Sequence, residues 1–148
     1  MELVKELLSN RMLTTPIMAW AIAQVIKTIV FFAMNGKLDL TRLTGDGGMP
    51  SAHSATVTSL AVRTCIDCGA SSAQFAIATI VAVVVMHDAV GVRRESGKHA
   101  KALNELIDFL DPQITLDVKL KEFIGHTPSQ VAAGALLGFS VAIATTLI

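Results

Sequence analysis

Tyrosine is absent, tryptophan occurs once, and aromatic residues make up only 5% of the chain. Platforms on which nucleobases could stack are therefore scarce. Charge is scarce too. Only 16% of residues are Asp, Glu, Lys or Arg, against about 25% in a soluble domain. Twelve basic and twelve acidic residues leave zero net charge, so nothing in the balance points to nucleic acid as a partner. There are two cysteines, Cys65 and Cys68. A lone CxxC without a second pair or neighbouring histidines reads as small apolar packing rather than as a zinc or redox site. No low-complexity segment or internal repeat is evident. No cleavable signal peptide is expected, because Met1 to Asn10 carries Glu2, Lys5 and Glu6 and lacks an apolar core.

What the chain has in excess is apolar surface. It is 52% hydrophobic, with a mean hydropathy of +0.58. At 148 residues it has the length of one domain, taken here as 1–148. The expected class is all-α: an integral-membrane bundle of about four transmembrane helices with short amphipathic helices. A soluble helical bundle is the alternative.

Residues 2–9 place Leu3, Val4, Leu7 and Leu8 on one stripe, as a short helix lying at an interface would. Thr15-Pro16 reads as the N-cap and first residue of a first long helix, to Met34. Asn35-Gly36 ends it, and a polar loop follows through Lys37, Asp39, Arg42 and Asp46. Pro50 opens a second helix to Cys68, and Gly69 breaks it. A third covers Ser72 to Asp88. A charged segment comes next, with Ala100, Leu103, Ile107 and Leu110 on one face of an amphipathic helix. Pro112 separates that helix from a second short one before Gly125. Thr127-Pro128 opens a fourth apolar helix to the C-terminus, and Thr127 with Gln130 has the spacing of a capping box. The four apolar stretches span about 17–21 residues, close to the roughly 20 a bilayer needs. Gly134 and Gly138 have the spacing that lets membrane helices approach closely.

Polar motifs interrupt this chain at three places: Gly47-Gly48-Met49-Pro50-Ser51-Ala52-His53, His87-Asp88-Ala89-Val90-Gly91-Val92-Arg93-Arg94, and Gly125-His126-Thr127-Pro128-Ser129-Gln130. Four helices crossing in turn alternate in direction. The end of the first, the start of the second, the end of the third and the start of the fourth then share one side, and all three motifs lie there. That side also carries Lys37, Arg42, Arg93, Arg94, Lys98, Lys101, Lys119 and Lys121, against Lys5, Arg11 and Arg63 opposite. An excess of Lys and Arg marks the cytoplasmic face. The expectation is a multi-pass protein of the cell membrane with its motif face in the cytoplasm and both chain ends on the other side.

The motif residue types suit an anion. Helix N-termini offer unpaired N–H groups and a positive dipole end. Gly47 and Gly48 allow close backbone approach, and Arg93 and Arg94 have the fork that grips phosphate oxygens. Lys27, inside the first helix, is costly there unless it has a function, and Gln24 shares its face. His53 and His126 each stand in the first turn of a helix. Two histidines among cations suit phosphoryl transfer, one attacking and the other protonating the leaving oxygen. His53, His87, Asp88 and His126 also have the side-chain types of a metal site, but their spacing matches no ligand pattern.

Pro50-Ser51-Ala52-His53 resembles the PSGH motif of the type 2 phosphatidic acid phosphatase and vanadium-dependent haloperoxidase superfamily. His126 through Gly134 resembles that superfamily's last motif, in which a histidine begins a helix and an acid follows four residues later. The chain as a whole is similar to the divergent bacterial and plant branch. The branch's hallmarks stand here as residues 47–55, 88–94, Leu103-Asn104 and 125–128. The resemblance implies a phosphohistidine mechanism without metal or other cofactor. His126 would be the nucleophile and His53 the general acid. Ser51 and the Gly48 backbone would hold phosphate oxygens, and Lys27 would stand for the lysine of the first motif.

Three positions depart from the superfamily pattern. Met34 stands where the first motif has an arginine, Leu120 where an arginine precedes the nucleophile, and Gln130 where an acid orients it. Arg93, Arg94 or Lys121 is a candidate for the missing cation. Asp88 or Glu122 is a candidate for the missing acid. The expected function is a phosphatase of a membrane lipid phosphate or prenyl (pyro)phosphate. The alternative is a non-catalytic protein that binds a phosphate head group or a partner on an inherited phosphatase frame. A homodimer is expected because four thin helices bury little.

Overall fold

The computed structural model describes residues 1–37, 47–110, 119–122 and 124–147. Among the described residues six helices follow in order: α1 (Glu2–Ser9), α2 (Arg11–Asn35), α3 (Ala52–Cys68), α4 (Ala73–Val90), α5 (Val92–Leu110) and α6 (Pro128–Ala144). No strand occurs among the described residues. The loop through Asp39, Arg42 and Asp46, and Pro112 with most of the second short helix, lie outside the described residues.

Helix starts follow side-chain caps. α2 begins at Arg11, five residues before Pro16, because the Asn10 side chain accepts from the Met12 amide at 3.0 Å. Thr15 is therefore not the cap. It is buried inside α2, its hydroxyl 3.3 Å from that of Thr145, and Pro16 sits in the helix interior. Ser51, rather than Pro50, sets the start of α3 by accepting from the Ser54 amide at 3.3 Å. Thr127 and Gln130 form the expected capping box at α6.

α3 is the central element, packed against α2, α4 and α6. Its closest neighbour is α6. A methyl group at Gly134 would land on the Ser51 carbonyl oxygen, and one at Gly138 on the Ala55 carbonyl oxygen. The two glycines let the backbones touch, which is how membrane helices gain van der Waals contact.

The burial pattern is the reverse of a soluble bundle. Among the described residues the buried apolar set is almost all alanine (Ala19, Ala23, Ala52, Ala55, Ala78, Ala82, Ala142), with Val141 as the one larger member. Thr15, Ser51, Ser54 and Ser59 are the largest fully enclosed side chains. Ile17, Trp20, Val25, Ile29, Phe32, Ile77, Ile80, Val84, Leu136 and Phe139 face outward. Water would expel that surface; a bilayer accepts it. The chain is a helical membrane protein.

Two helical runs are long and apolar enough to cross a membrane, Arg11–Asn35 and Ala73–Phe109, the latter formed by α4 and its near-continuation α5. α3 and α6 have 17 residues each, the lower edge of the spanning range of about 17–25. The expectation of about four spans thus rests on length and hydropathy for two helices, not four. α3 is the most polar of the central helices because its neighbours shield it from lipid.

Antiparallel succession puts two different ends on the bundle. At one end Lys27 meets Gly48, and the His126 amide donates to the Ala89 carbonyl at 3.0 Å. At the other, Arg63 donates to Thr146 at 3.3 Å and Arg11 to the Thr145 carbonyl at 3.4 Å. Arg63 is buried and bidentate to Asp67, at 2.8 and 2.6 Å. It is a paired core group rather than a free flanking charge.

Candidate functional site: two histidines at the motif end

The third motif sits between the other two. The Ser51 amide donates to the Gln130 carbonyl at 3.1 Å, which ties the first motif to it. The second motif is tied by the His126–Ala89 bond and by Gly125, whose missing side chain leaves room for the Arg94 backbone. The convergence expected from helix counting is therefore present in the backbone itself.

His53 and His126 face each other with ring centroids 6.3 Å apart and planes at 62°. His126 is buried, whereas His53 is exposed at the start of α3. The Gln130 side chain does two jobs. Its Oε1 accepts from the Thr127 amide at 3.0 Å, and the same oxygen stands 3.3 Å from His126 Nδ1. The amide donor fixes Oε1 as the acceptor end, so the proton of this bond must reside on Nδ1. In the neutral ring Nε2 is then the basic nitrogen. The capping role and the orienting role of Gln130 coexist.

Lys27 is buried on α2, and its aliphatic stem runs past Gly48. A methyl group at Gly48 would come within 3.1 Å of Lys27 Cγ, and the residue has φ +83°, a conformation suited to glycine. Gln24, one turn earlier, is also buried, and its Oε1 has no hydrogen-bond partner among the described residues. Ser51 is fully enclosed, its hydroxyl accepting from the Ser54 amide and, at 3.0 Å, from the Ser54 hydroxyl.

The second motif is arranged less simply. Asp88 pairs with Arg93 at 2.5 Å, both partly exposed, and so neither charge stands alone. Arg94 is exposed, with its backbone against Gly125. Asn104 closes the charged segment: its amide bonds the Leu120 carbonyl at 3.0 Å, the Leu120 amide at 3.1 Å and Glu122 at 2.9 Å. That anchoring carries residues 119–122 back toward His126 and engages Glu122, the other candidate acid. On the outer face of α5, Lys98 donates to the exposed Glu95 carboxylate at 2.7 Å. Among the described residues no three His, Cys, Asp or Glu side chains stand together as a metal site would need.

Beside Lys27 lies a cavity of about 310 Å³, lined by Val30, Phe31, Met34, Gly47, Gly48, Met49 and Gln130. Phe31 belongs to none of the three motifs, and its place one turn after Lys27 is its one signal in the sequence. A cavity of about 410 Å³ lies at the opposite end against Arg11, Thr15 and Thr145, away from both histidines.

Residues 8–141 match the sequence profile of the divergent PAP2 family. The chain belongs to that family. It is 41% identical over 145 residues to the uncharacterized membrane protein YuiD of Bacillus subtilis (strain 168), an alignment covering 90% of this chain and 92% of that one. No solved structure matches. For this divergent PAP2 chain, a phosphatase-related ancestry and a membrane setting are thus established together.

Proposed function

We propose that the protein is a metal-independent phosphatase of a membrane lipid phosphate or prenyl phosphate, working through a phosphohistidine at His126. The observation that carries this reading is the oriented His126 ring, held at Nδ1 by Gln130 and facing His53 across 6.3 Å. The Nε2 lone pair of His126 attacks phosphorus as the bond to the leaving oxygen breaks, and His53 gives that oxygen its proton. Water then attacks phosphorus, His53 takes the water's proton, and the N–P bond breaks to release orthophosphate and restore both rings. Lys27, Arg93, Arg94, the Gly48 backbone and the N-terminal end of α3 with Ser51 supply positive potential for the equatorial oxygens. Asp88 acts through Arg93, which it holds.

In the proposed orientation the motif face looks into the cytoplasm. The excess of Lys and Arg on that side supports this orientation. The test is phosphate release in EDTA from phosphatidic acid, phosphatidylglycerol phosphate and prenyl diphosphates, comparing wild type with His126→Ala and His53→Ala. Release that resists EDTA and disappears in both variants supports the reading.

A second reading has its own observation. Gln130 accepts a hydrogen bond but cannot offset a developing imidazolium as a carboxylate does, and Asp88 is already paired with Arg93. A protein that binds a phosphate head group without turnover fits that arrangement. Binding of vanadate without release of phosphate from any substrate would favour it.

A further inference from the structure

We infer that the second half of α5 is seated on the membrane surface at the motif end, with Ala102, Leu103, Leu106 and Phe109 set into the boundary between headgroups and acyl chains. The partner is the lipid surface of the leaflet that the motifs face. The seat does not depend on turnover at the histidines.

α5 has three faces. Gly97, Ala100 and Asn104 share one side and are buried there. Gly97 lies against the Glu122 carbonyl, and Asn104 bonds the Leu120 backbone. Arg94, Lys98, Lys101, Glu105 and Asp108 form a second, charged face, and all five are exposed. Lys101 pairs with Glu105 at 3.7 Å and Asp108 with Lys119 at 3.5 Å. The third face lies roughly opposite the first and is apolar from Ala102 to Phe109. Leu103 is 48% exposed, Leu106 50% and Phe109 82%. In the first half of α5 the same line carries Glu95 and His99, so the stripe belongs to the second half alone. An apolar stripe bordered by charge is the pattern of a helix lying in a membrane interface.

Area argues against a second copy as the cover. A stable protein interface takes about 800 Å² from each partner. Three large side chains, two of them already half covered, supply roughly 300 Å². Lipid sets no such threshold. The chain is already held in the bilayer, and the stripe only extends a contact that the outward residues of α4 make (Ile77, Ile80 and Val84).

Position argues for lipid. The 18 residues of α4 rise about 27 Å, close to the about 30 Å of hydrocarbon, so α5 starts at the membrane boundary. A straight continuation would carry Phe109 about 25 Å into water. Gly91, with φ −98° and ψ −96°, is not helical and separates the two helices. The break permits α5 to leave the axis of α4 and follow the surface. The histidines then open at headgroup level. Arg94, near the start of α5, has its backbone against Gly125, next to His126. A phosphate in that leaflet meets the two rings without leaving its layer.

The experiment puts one tryptophan on each face of α5. Trp20→Phe removes the only native tryptophan, which itself faces outward from α2. In that background Leu106→Trp and Phe109→Trp report the apolar face, and Asp108→Trp reports the charged one. All three side chains are exposed, so none of the changes disturbs packing. The full chain is reconstituted into vesicles whose lipids are brominated either near the headgroup end of the acyl chain or near its tip. Wild type, quenched through Trp20, is the reference for lipid contact. Leu106→Trp and Phe109→Trp should lose about half or more of their emission to bromines at the headgroup end, and less to those at the tip, as a helix buried about 5–10 Å into the boundary requires. Asp108→Trp should lose about a tenth or less.

Emission from Leu106→Trp and Phe109→Trp that neither lipid quenches, with wild type quenched, would overturn the seat and leave the membrane bundle standing. Blue-shifted but unquenched emission would mean that protein covers the face, whether a second copy or another part of this chain, and would overturn it equally. So would stronger quenching by the tip bromines, or quenching of Asp108→Trp to the same extent.

Discussion

The contact between α6 and α3 should be as important to the site as the histidines themselves, and Gly134→Ala tests this. The added methyl group would fall on the Ser51 carbonyl oxygen and within 3.0 Å of Ser54 Cβ. Neither the carbonyl nor the enclosed Ser54 can swing away, so α6 must move out by about 1 Å to restore ordinary contact. Overpacking of this kind costs about 1–3 kcal/mol. The outward shift also lengthens the Ser51–Gln130 backbone bond, worth about 0.5–1.5 kcal/mol. Gln130 carries His126, so the two rings separate, and a displacement of about 1 Å can cost roughly a hundredfold in rate. Gly138→Ala is the matching control. It strikes the Ala55 carbonyl in the same way but one turn further from the rings. Unfolding in mixed micelles should show both variants destabilised by a similar amount. Phosphate release should fall by about a hundredfold in Gly134→Ala and by roughly tenfold or less in Gly138→Ala. A Gly134→Ala protein with wild-type stability and turnover would refute the claim that backbone contact at this point sets the site.

Four further outcomes follow from individual contacts. Gln130→Glu keeps an acceptor for His126 Nδ1 and adds the missing charge, so turnover should rise by about tenfold or more, read as initial phosphate release. Asp67→Ala leaves the buried Arg63 guanidinium without its carboxylate and should cost about 3–5 kcal/mol in an unfolding titration. Asp88→Asn breaks a partly exposed pair and should change stability by about 1 kcal/mol or less, so that any large loss of turnover would come from release of Arg93. Asn104→Ala removes the bonds to the Leu120 backbone and should cost about 1–3 kcal/mol, with faster hydrogen exchange at the Leu120 amide.

Much of the site could be read from the sequence because its parts are punctuation marks. Glycines, prolines and capping residues in an apolar chain locate helix ends, and alternation of direction brings those ends together. That reasoning reached the convergence of Gly48, Ser51, His53, Arg94 and His126, and the capping box of Thr127 and Gln130. It missed the start of α2, because Asn10 caps one turn before the more conspicuous Thr15-Pro16. A count of charges cannot see that Asp67, one turn on, turns a flanking cation into a core ion pair. For α5 the expected face of Ala100, Leu103, Ile107 and Leu110 is met at Ala100, which is buried, and at Ile107, which is half-buried, but not at Leu103, which stays exposed. Gly97 and Asn104 turn inward beside Ala100, because Leu120 and Glu122 approach there through backbone and amide contacts. The cavity wall had no sequence signal of its own, since Val30, Met34 and Met49 look like any other lipid-facing residues until the fold sets them beside Lys27.

The most direct test of the account is to trap the intermediate. Purified protein in nanodiscs is mixed with radiolabelled alkyl phosphate, quenched in alkali within the first turnover, and digested for mass spectrometry. The account predicts an acid-labile phosphate on His126, present in wild type and absent from His126→Ala. Turnover with no phosphate on His126 at any time point, or with the label on another residue, would contradict it.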